Sequence, residues 1–140
     1  MYCAVADLTS RFGEVEIAEL TDLEDRETVV DSVVNAAIAD ASEEMDSYLA
    51  ARYALPITSG IPAILTAKAV DIARFRLYDD HPTETVRKRY EDAVAWLKLV
   101  AMGTVRLPVA APETTALTSG LDYSVPADDT DNPTFTRLVW

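Results

Sequence analysis

The sequence predicts an all-α fold: a small bundle of about four helices, the second long and amphipathic, followed by an extended C-terminal arm that can carry short β-strands. Apolar residues recur at helical spacing over most of residues 28–103. Glycine is scarce, with four residues against seven prolines, which disfavours hairpin-rich β folds. Residues 108–140 contain four prolines and show no helical period. We therefore expect a helical body, residues 1–107, and an arm, residues 108–140.

The first twenty residues predict one or two short helices, interrupted at Gly13. A polar loop, residues 21–27, follows. Thr28 and Asp31 then resemble a capping box that opens a long helix over roughly residues 28–52. That helix should end before Pro56, because the residue preceding a proline is pushed out of the helical region. Its apolar stripe includes Val30, Val34, Ile38, Met45 and Leu49.

Two further helices complete the predicted body. Pro62 suits the first turn of a helix that runs to about Asp80. The loop over residues 80–83 is short, so the next helix should be its antiparallel neighbour. The last helix has apolar residues at alternating spacings of four and three, and Gly103 lies where its C-cap is expected. Short strands are expected at Thr104–Leu107 and around residues 121–125.

The net charge of −12 argues against sequence-independent binding of duplex DNA through a broad basic face. The charge is also unevenly distributed. Residues 1–51 hold 13 acidic and two basic residues, residues 52–107 hold six and nine, and residues 108–140 hold five and one. Such asymmetry can orient copies head-to-side in a ring or steer a charged partner, and it is also typical of an ordinary solvated surface.

Targeting and redox signals are absent from the sequence. The single cysteine, Cys3, excludes an internal disulfide and a cysteine-built zinc site. The first residues lack the basic and apolar regions of a signal peptide, and no apolar run reaches the roughly 18 residues of a membrane helix. We expect a soluble acidic protein of a reducing compartment, with no membrane association.

A search for catalytic chemistry yields no positive signal. The lone His81 lies in a turn beside Asp79 and Asp80, and Cys3 has no histidine nearby in sequence. The adjacent pair Glu43 and Glu44 points in different directions on a helix, so these carboxylates do not form an acid–base dyad. Phosphate-loop, dinucleotide-binding and zinc-protease motifs are missing. We expect no enzymatic activity, no cofactor and no metal.

One basic cluster stands out. Arg87, Lys88 and Arg89 are consecutive, and Arg74 and Arg76 lie on the preceding helix. They form either a patch that faces nucleic acid or an acidic partner, or a charge balance for the acidic long helix. The chain's last six residues are unlike a solvated tail, because they are mainly apolar and end on tryptophan. We interpret this end as a docking segment, with packing onto its own body as the other reading.

Four stretches, in order, resemble the head–tail adaptor (connector, head-completion or neck) proteins of Mu-like phages and prophages. They are MYCAVADLTSRFGEVEIAELTD, ADASEEMDSYLAARYALPI, IPAILTAKAVDIARFRLYDD and TETVRKRYEDAVAWLKLVAMG. Together they cover nearly all of residues 1–103, whereas the arm carries little of the resemblance.

The resemblance implies a structural virion protein in the neck, made and assembled in the bacterial cytoplasm. Copies would form a ring, dodecameric like the portal, that extends the DNA channel without sequence-specific DNA binding and meets the next neck or tail protein. The arm would dock on the portal through Phe135, Arg137, Leu138, Val139 and Trp140. Candidates for the subunit interface or the channel surface are Asp40, Glu43, Asp46, Arg74, Arg76, Arg87 and Arg89.

Two other functions stay open at this point. An acidic helical module that inhibits or occupies a basic partner protein would be a stable monomer without affinity for a portal. A small enzyme built on the turn of Asp79, Asp80 and His81 would need a bound divalent metal or a deep pocket at that turn.

Overall fold

The computed structural model describes residues 1–57 and 60–109, and this part of the chain folds into five α-helices without a strand. The helices are α1 Val5–Phe12, α2 Glu14–Thr21, α3 Asp31–Leu49, α4 Ala63–Tyr78 and α5 Glu84–Ala101. The predicted all-α class is confirmed. Five helices replace about four because the first twenty residues form two helices, α1 and α2, on either side of Gly13.

Gly13 separates these two helices because its backbone has φ 95° and ψ 145°, a conformation that other residues rarely adopt. Its N–H donates to the carbonyl of Thr9 at 2.9 Å and so closes α1. The chain then turns directly into α2. Leu8 and Ile17, one from each helix, are fully buried in the common core.

The start of the long helix differs from the prediction. The helix α3 begins at Asp31 with Val30 as its N-cap, and no side chain caps it. The capping box expected from Thr28 is wrong, because the hydroxyl of Thr28 donates instead to the Asp22 carboxylate at 3.2 Å. The Thr28 side chain hydrogen-bonds within the preceding loop and therefore does not cap the helix.

The three long helices run up, down and up. Phe75 of α4 stacks on Tyr90 of α5 with ring centroids 4.1 Å apart, and Lys68 lies 5.6 Å from the centroid of the Trp96 ring, so these helices are antiparallel as expected. Tyr90 and Arg52 connect α5 to the middle and the end of α3, which makes α3 and α5 parallel. The core between the three helices is aliphatic and includes Ile38, Met45, Leu49, Leu65, Ile72, Leu97 and Val100.

Gly103 ends α5 as predicted. It has φ 84°, its N–H donates to the carbonyl of Val100, and the N–H of Thr104 donates to the carbonyl of Leu99. This is a Schellman motif. The strand expected at Thr104–Leu107 is wrong, because the first N–H groups of that segment bond back to the helix. Leu107 is buried, and its N–H donates to the Tyr53 hydroxyl at 2.8 Å.

The residues before α1 are also held in place. The N–H of Tyr2 donates to Ser42 Oγ at 3.3 Å, and its carbonyl accepts from Thr66 Oγ1 at 2.9 Å. The Tyr2 hydroxyl donates to the Asp46 carboxylate. Burial and this carboxylate raise the pKa of Tyr2. Tyr2 therefore ties the N-terminal segment to both α3 and α4.

Candidate functional surfaces

Three of the residues considered for catalysis, Asp79, Asp80 and His81, line one open groove, whereas Cys3 is not part of its lining. His81 is exposed in the turn between α4 and α5. Burial raises the pKa of the half-buried Cys3 thiol to about 11, which keeps it protonated at neutral pH. Within residues 1–57 and 60–109, no three His, Cys, Asp or Glu side chains are placed to hold a metal ion. None of the helices in this part combines the length and apolarity needed to cross a membrane.

Arg74, a candidate interface residue, is engaged within the chain. Its Nε and Nη2 donate to the two oxygens of Glu16 at 2.7 and 3.0 Å. The guanidinium also lies 4.0 Å from the centroid of the Phe12 ring, a cation–π contact. Tyr78 Oη donates to the same carboxylate at 3.3 Å. This half-buried cluster fastens α1 and α2 to α4, so Arg74 has a structural role.

Arg76 has a similar internal partner but remains more exposed. Its Nη2 donates to Glu44 Oε1 at 2.5 Å, and Tyr90 Oη donates to Glu44 Oε2 at 2.7 Å. Burial, followed by the Glu44 hydrogen bond, raises the pKa of Tyr90 to about 12. The Glu44 carboxylate on α3 therefore joins α4 and α5. Sequence patterns do not reveal these contacts, because Arg76 and Tyr90 lie 32 and 46 residues from Glu44.

The basic run on α5 is only loosely paired. Arg89 Nη1 lies 3.7 Å from Asp71 Oδ1, and Lys88 Nζ lies 3.9 Å from Asp92 Oδ1. Arg87 is exposed. Burial raises the pKa of the Asp71 carboxyl, against the opposing effect of neighbouring cations led by Arg89. Arg87 and Arg89 therefore remain available to a partner, in contrast to Arg74.

The three acidic candidates on α3 lie in different surroundings. Asp46 is half-buried and accepts the Tyr2 hydrogen bond. Glu43 is exposed on the middle of the helix. Asp40 is exposed nearer the start of α3, where it lines a groove. The structure therefore does not bring them together as one continuous acidic face.

An open groove with a volume of about 620 Å³ lies on the body. It is open to solvent and lies between the end of α2, the loop after it, the first half of α3 and the end of α4. Its apolar strip consists of Leu20, Leu23, Val33, Ala37 and Leu77. Its charged rim includes Glu19, Arg26, Asp40, Arg76, Asp79 and Asp80. Within residues 1–57 and 60–109, the non-glycine residues with positive φ are Arg26 (62°) and Asp79 (57°), and both belong to this rim.

The loop on one wall of this groove is held by a single carboxylate. Asp22 accepts hydrogen bonds from the N–H groups of Glu24, Asp25, Glu27 and Thr28 at 3.2–3.3 Å. These bonds, first that from Glu27, lower the pKa of Asp22 from an ordinary 3.8 to about 2. The loop is therefore shaped without help from any partner.

A comparison of the whole chain with known protein families decides its relationships. Residues 2–124 match the model of the family described as bacteriophage Mu, Gp36. The chain belongs to the bacteriophage Mu Gp36 family. It is 34% identical over 137 residues to Gene product J of Escherichia phage Mu, covering 97% of this chain and 94% of that protein. It is 30% identical over 115 residues to the Mu-like prophage FluMu protein gp36 of Haemophilus influenzae, covering 82% and 81%.

Membership of the Gp36 family confirms the expected relationship to Mu-like phage and prophage proteins. The docking residues expected at the end of the chain, Phe135, Arg137, Leu138, Val139 and Trp140, lie outside the described residues and beyond the residues matched to the family model. The sequence reasoning missed the groove and the Asp22-centred loop. The sequence feature that could have indicated the groove is Leu23, an isolated apolar residue inside the polar run 21–27.

Proposed function

We propose that this Gp36-family chain is a head–tail adaptor of the virion neck. Copies form a ring under the portal, extend the DNA channel and connect the capsid to the next neck or tail protein. The ring follows the dodecameric symmetry of the portal, and assembly takes place in the bacterial cytoplasm.

The observation that carries the proposal is the open groove on the body of a phage-family protein. An apolar strip rimmed by charged side chains is typical of a protein–protein contact. At about 620 Å³ the groove is large and open to solvent, and among the described residues no group of His, Cys, Asp and Glu side chains is placed to hold a metal ion. A macromolecular partner fits such a surface better than a small substrate does.

The overall charge supports the channel role. A conduit for DNA should not bind its cargo tightly, and a net charge of −12 repels phosphate. The basic residues do not form a broad counter-surface, because Arg74 and Arg76 are paired with Glu16 and Glu44 and the exposed run 87–89 is confined to the first turns of α5. Passing DNA would therefore meet a predominantly acidic ring.

We assign the portal contact to the end of the arm. Phe135 and Trp140 are the large aromatic anchors typical of interface hot spots, and Arg137 can pair with an acidic residue of the portal. A single short segment binds weakly, but its repetition around a ring raises the total affinity through avidity. Such an arrangement would delay ring formation until a portal acts as template.

The test is binding to the portal assembly encoded by the same genome. The full chain is compared with a chain truncated after Pro126 and with a Phe135→Ser, Trp140→Ser variant, while Thr134→Ala, Thr136→Ala serves as the matched control in the same segment. We expect stoichiometric, ring-like binding by the full chain and the control, and loss of binding by the other two. Electron microscopy of the complexes reports the ring.

Each other outcome has a defined meaning. Binding that survives truncation keeps the adaptor role and moves the anchor to the helical body. Failure of every chain to bind the portal contradicts the adaptor role. In that case tight binding of a monomer to a basic protein would favour the alternative function, an acidic module that occupies a basic partner.

A further inference from the structure

The three-helix arrangement gives the body two chemically different ends. At one end lie the start of α3, the end of α4, the start of α5, the loop after α2 and the groove; we call this the acidic end, after the residues of that loop. At the other lie the end of α3, the start of α4 and the end of α5; we call this the basic end. Arg52 marks the basic end, since it follows α3 and its Nη2 donates to the carbonyl of Met102 at 3.0 Å.

The two ends differ in charge. Residues 19–31 contain six acidic residues and one basic residue, Arg26, and Asp79 and Asp80 are added from the end of α4. The exposed basic run 87–89 lies at the same end, on the first turns of α5, so the acidic surface there is the part formed by residues 19–31 and 79–80. Residues 47–70 and 93–109 contain no acidic residue. Their basic residues are Arg52, Lys68, Lys98 and Arg106. Two surfaces of opposite sign on one molecule are complementary to each other in a second copy.

Both ends also expose apolar side chains. At the acidic end, Leu23 is 78% exposed and Val33 is 41% exposed, and both line the groove. At the basic end, Met102 is 66% exposed and Leu99 is 40% exposed on the last turn of α5. Ile61 and Ile64, at the antiparallel start of α4, are exposed as well. Exposed apolar groups with a polar, charged rim are typical of a protein–protein interface.

The acidic end is shaped before any contact is made. The hydrogen bonds to Asp22 hold the loop that presents Leu23, and Thr21 Oγ1 accepts the N–H of Val30 at 3.0 Å where the loop joins α3. A prearranged loop loses less conformational entropy on binding than a flexible one. Leu23 is therefore suited to insert into an apolar surface on a partner.

We propose that the acidic end of one copy binds the basic end of the next copy, with Leu23 packing against the apolar residues around Met102. The contact is heterologous, because two different surfaces meet, and such contacts propagate from copy to copy and close into rings when the geometry permits. This inference rests on the proposed ring and names its subunit contact. The contact involves the two ends of the body. Arg74, a candidate interface residue, is paired with Glu16 and does not take part in it.

The experiment uses the full chain and sedimentation velocity at concentrations up to about 1 mM, where a contact of about 4 kcal/mol is half populated. The acidic-end variant is Glu24→Lys, Asp25→Lys, and the basic-end variant is Lys98→Glu, Arg106→Glu. The matched control is Glu43→Lys, Glu91→Lys, which reverses two exposed charges in the middle of the body. Leu23→Ser and Met102→Ser test the apolar part of the contact, and circular dichroism checks that each variant folds.

We expect the wild-type chain and the control to associate in about 0.05 M salt and less in about 0.5 M salt. Each end variant should associate at least about tenfold more weakly, because the charge complementarity of the two ends is then lost. Mixing the two end variants should restore association beyond the dimer. The intact basic end of one variant meets the intact acidic end of the other, and the reversed positions on the two remaining ends are opposite in charge as well.

Three results would overturn the inference. The first is a wild-type chain that stays monomeric over the whole concentration range, or that associates only after truncation at Pro126, which would mean that its own last residues occupy the groove. The second is association unaffected by either end variant. The third is an equal loss of association in the control, which would place the contact on the middle of the body.

Portal binding, measured separately, distinguishes this inference from the proposed function. Self-association through the two ends without portal binding would support the contact and contradict the adaptor role. Portal binding by copies that do not associate through these ends would support the adaptor role and contradict the contact.

Discussion

Gly103→Ala is the substitution whose effect can be worked out most directly from the structure. Gly103 has φ 84°, where an L-residue is strained by about 1–2 kcal/mol. An added methyl group would lie 2.5 Å from Arg52 Nη2 and 2.7 Å from its Cζ, so the guanidinium must move. Arg52 then loses its hydrogen bonds to the carbonyls of Ala101 and Met102 at the end of α5.

The two costs can be separated. A cation at an exposed helix C-terminus contributes about 0.3–1 kcal/mol, so Gly103→Ala should destabilise the chain by about 2 kcal/mol in total. Gly60 is the matched control, since it has φ 79° and an added methyl group there meets no atom within 4 Å. Gly60→Ala should therefore cost only the backbone term, about 1–2 kcal/mol.

Urea unfolding followed by circular dichroism measures these differences, and a double-mutant cycle isolates Arg52. Arg52→Ala should cost about 0.5 kcal/mol in the wild-type chain and close to nothing in Gly103→Ala, where the guanidinium has already been displaced. Equal costs of Arg52→Ala in both backgrounds would refute the reasoning. Wild-type stability of Gly103→Ala would refute it as well.

Three further predictions concern the loop and the N-terminal segment. Thr21→Val leaves the Val30 N–H without its acceptor and should cost about 1–2 kcal/mol; hydrogen exchange at Val30 should accelerate in this variant and stay slow in Thr21→Ser. The pKa of Asp22 lies below its ordinary value, so its carboxylate stabilises the loop above about pH 4 and this contribution disappears as the pH falls through about 2; a carboxyl NMR titration with a midpoint near 4 would contradict this. The pKa of Cys3 is raised from 9.0 to about 11, so iodoacetamide at mildly alkaline pH should label the folded chain about a hundredfold more slowly than the unfolded chain; equal rates would show that the thiol is not buried.

The helical body was predictable because its signals are local. The spacing of Val86, Tyr90, Ala93, Leu97 and Val100 gave the last helix, and all five are buried or half-buried in α5. The interruption at Gly13 and the end of α5 at Gly103 followed from backbone freedom that only glycine supplies. Such signals depend on a few neighbouring residues, so they can be recognised without knowing the tertiary structure.

The surface was less predictable because its partners are distant in sequence. The Glu16–Arg74 pair joins residues 58 positions apart, and no local pattern marks it. The Thr28 hydroxyl can either accept from a helix N–H or donate to a carboxylate, and only the folded loop shows that Asp22 is its partner. Leu23 is the one apolar residue in a polar run, and its position in a groove could not be predicted because the other walls come from α3 and α4.

Because α3 and α5 are parallel, charges at the two ends of the body affect both the folding of the monomer and its contacts with other copies. Both helices direct the positive end of their macrodipoles toward the acidic end and the negative end toward the basic end, whereas α4 alone opposes them. Asp31 and Glu84 in the first turns, and Lys98 in a last turn, are therefore favourable to folding itself. Reversing these charges alters the stability of the monomer as well as its contacts. Substitutions of these charges are therefore constrained both by the stability of the monomer and by its contacts. The helix dipoles alone would favour acidic residues at the starts of α3 and α5 and basic residues at their ends, even without a neighbouring copy.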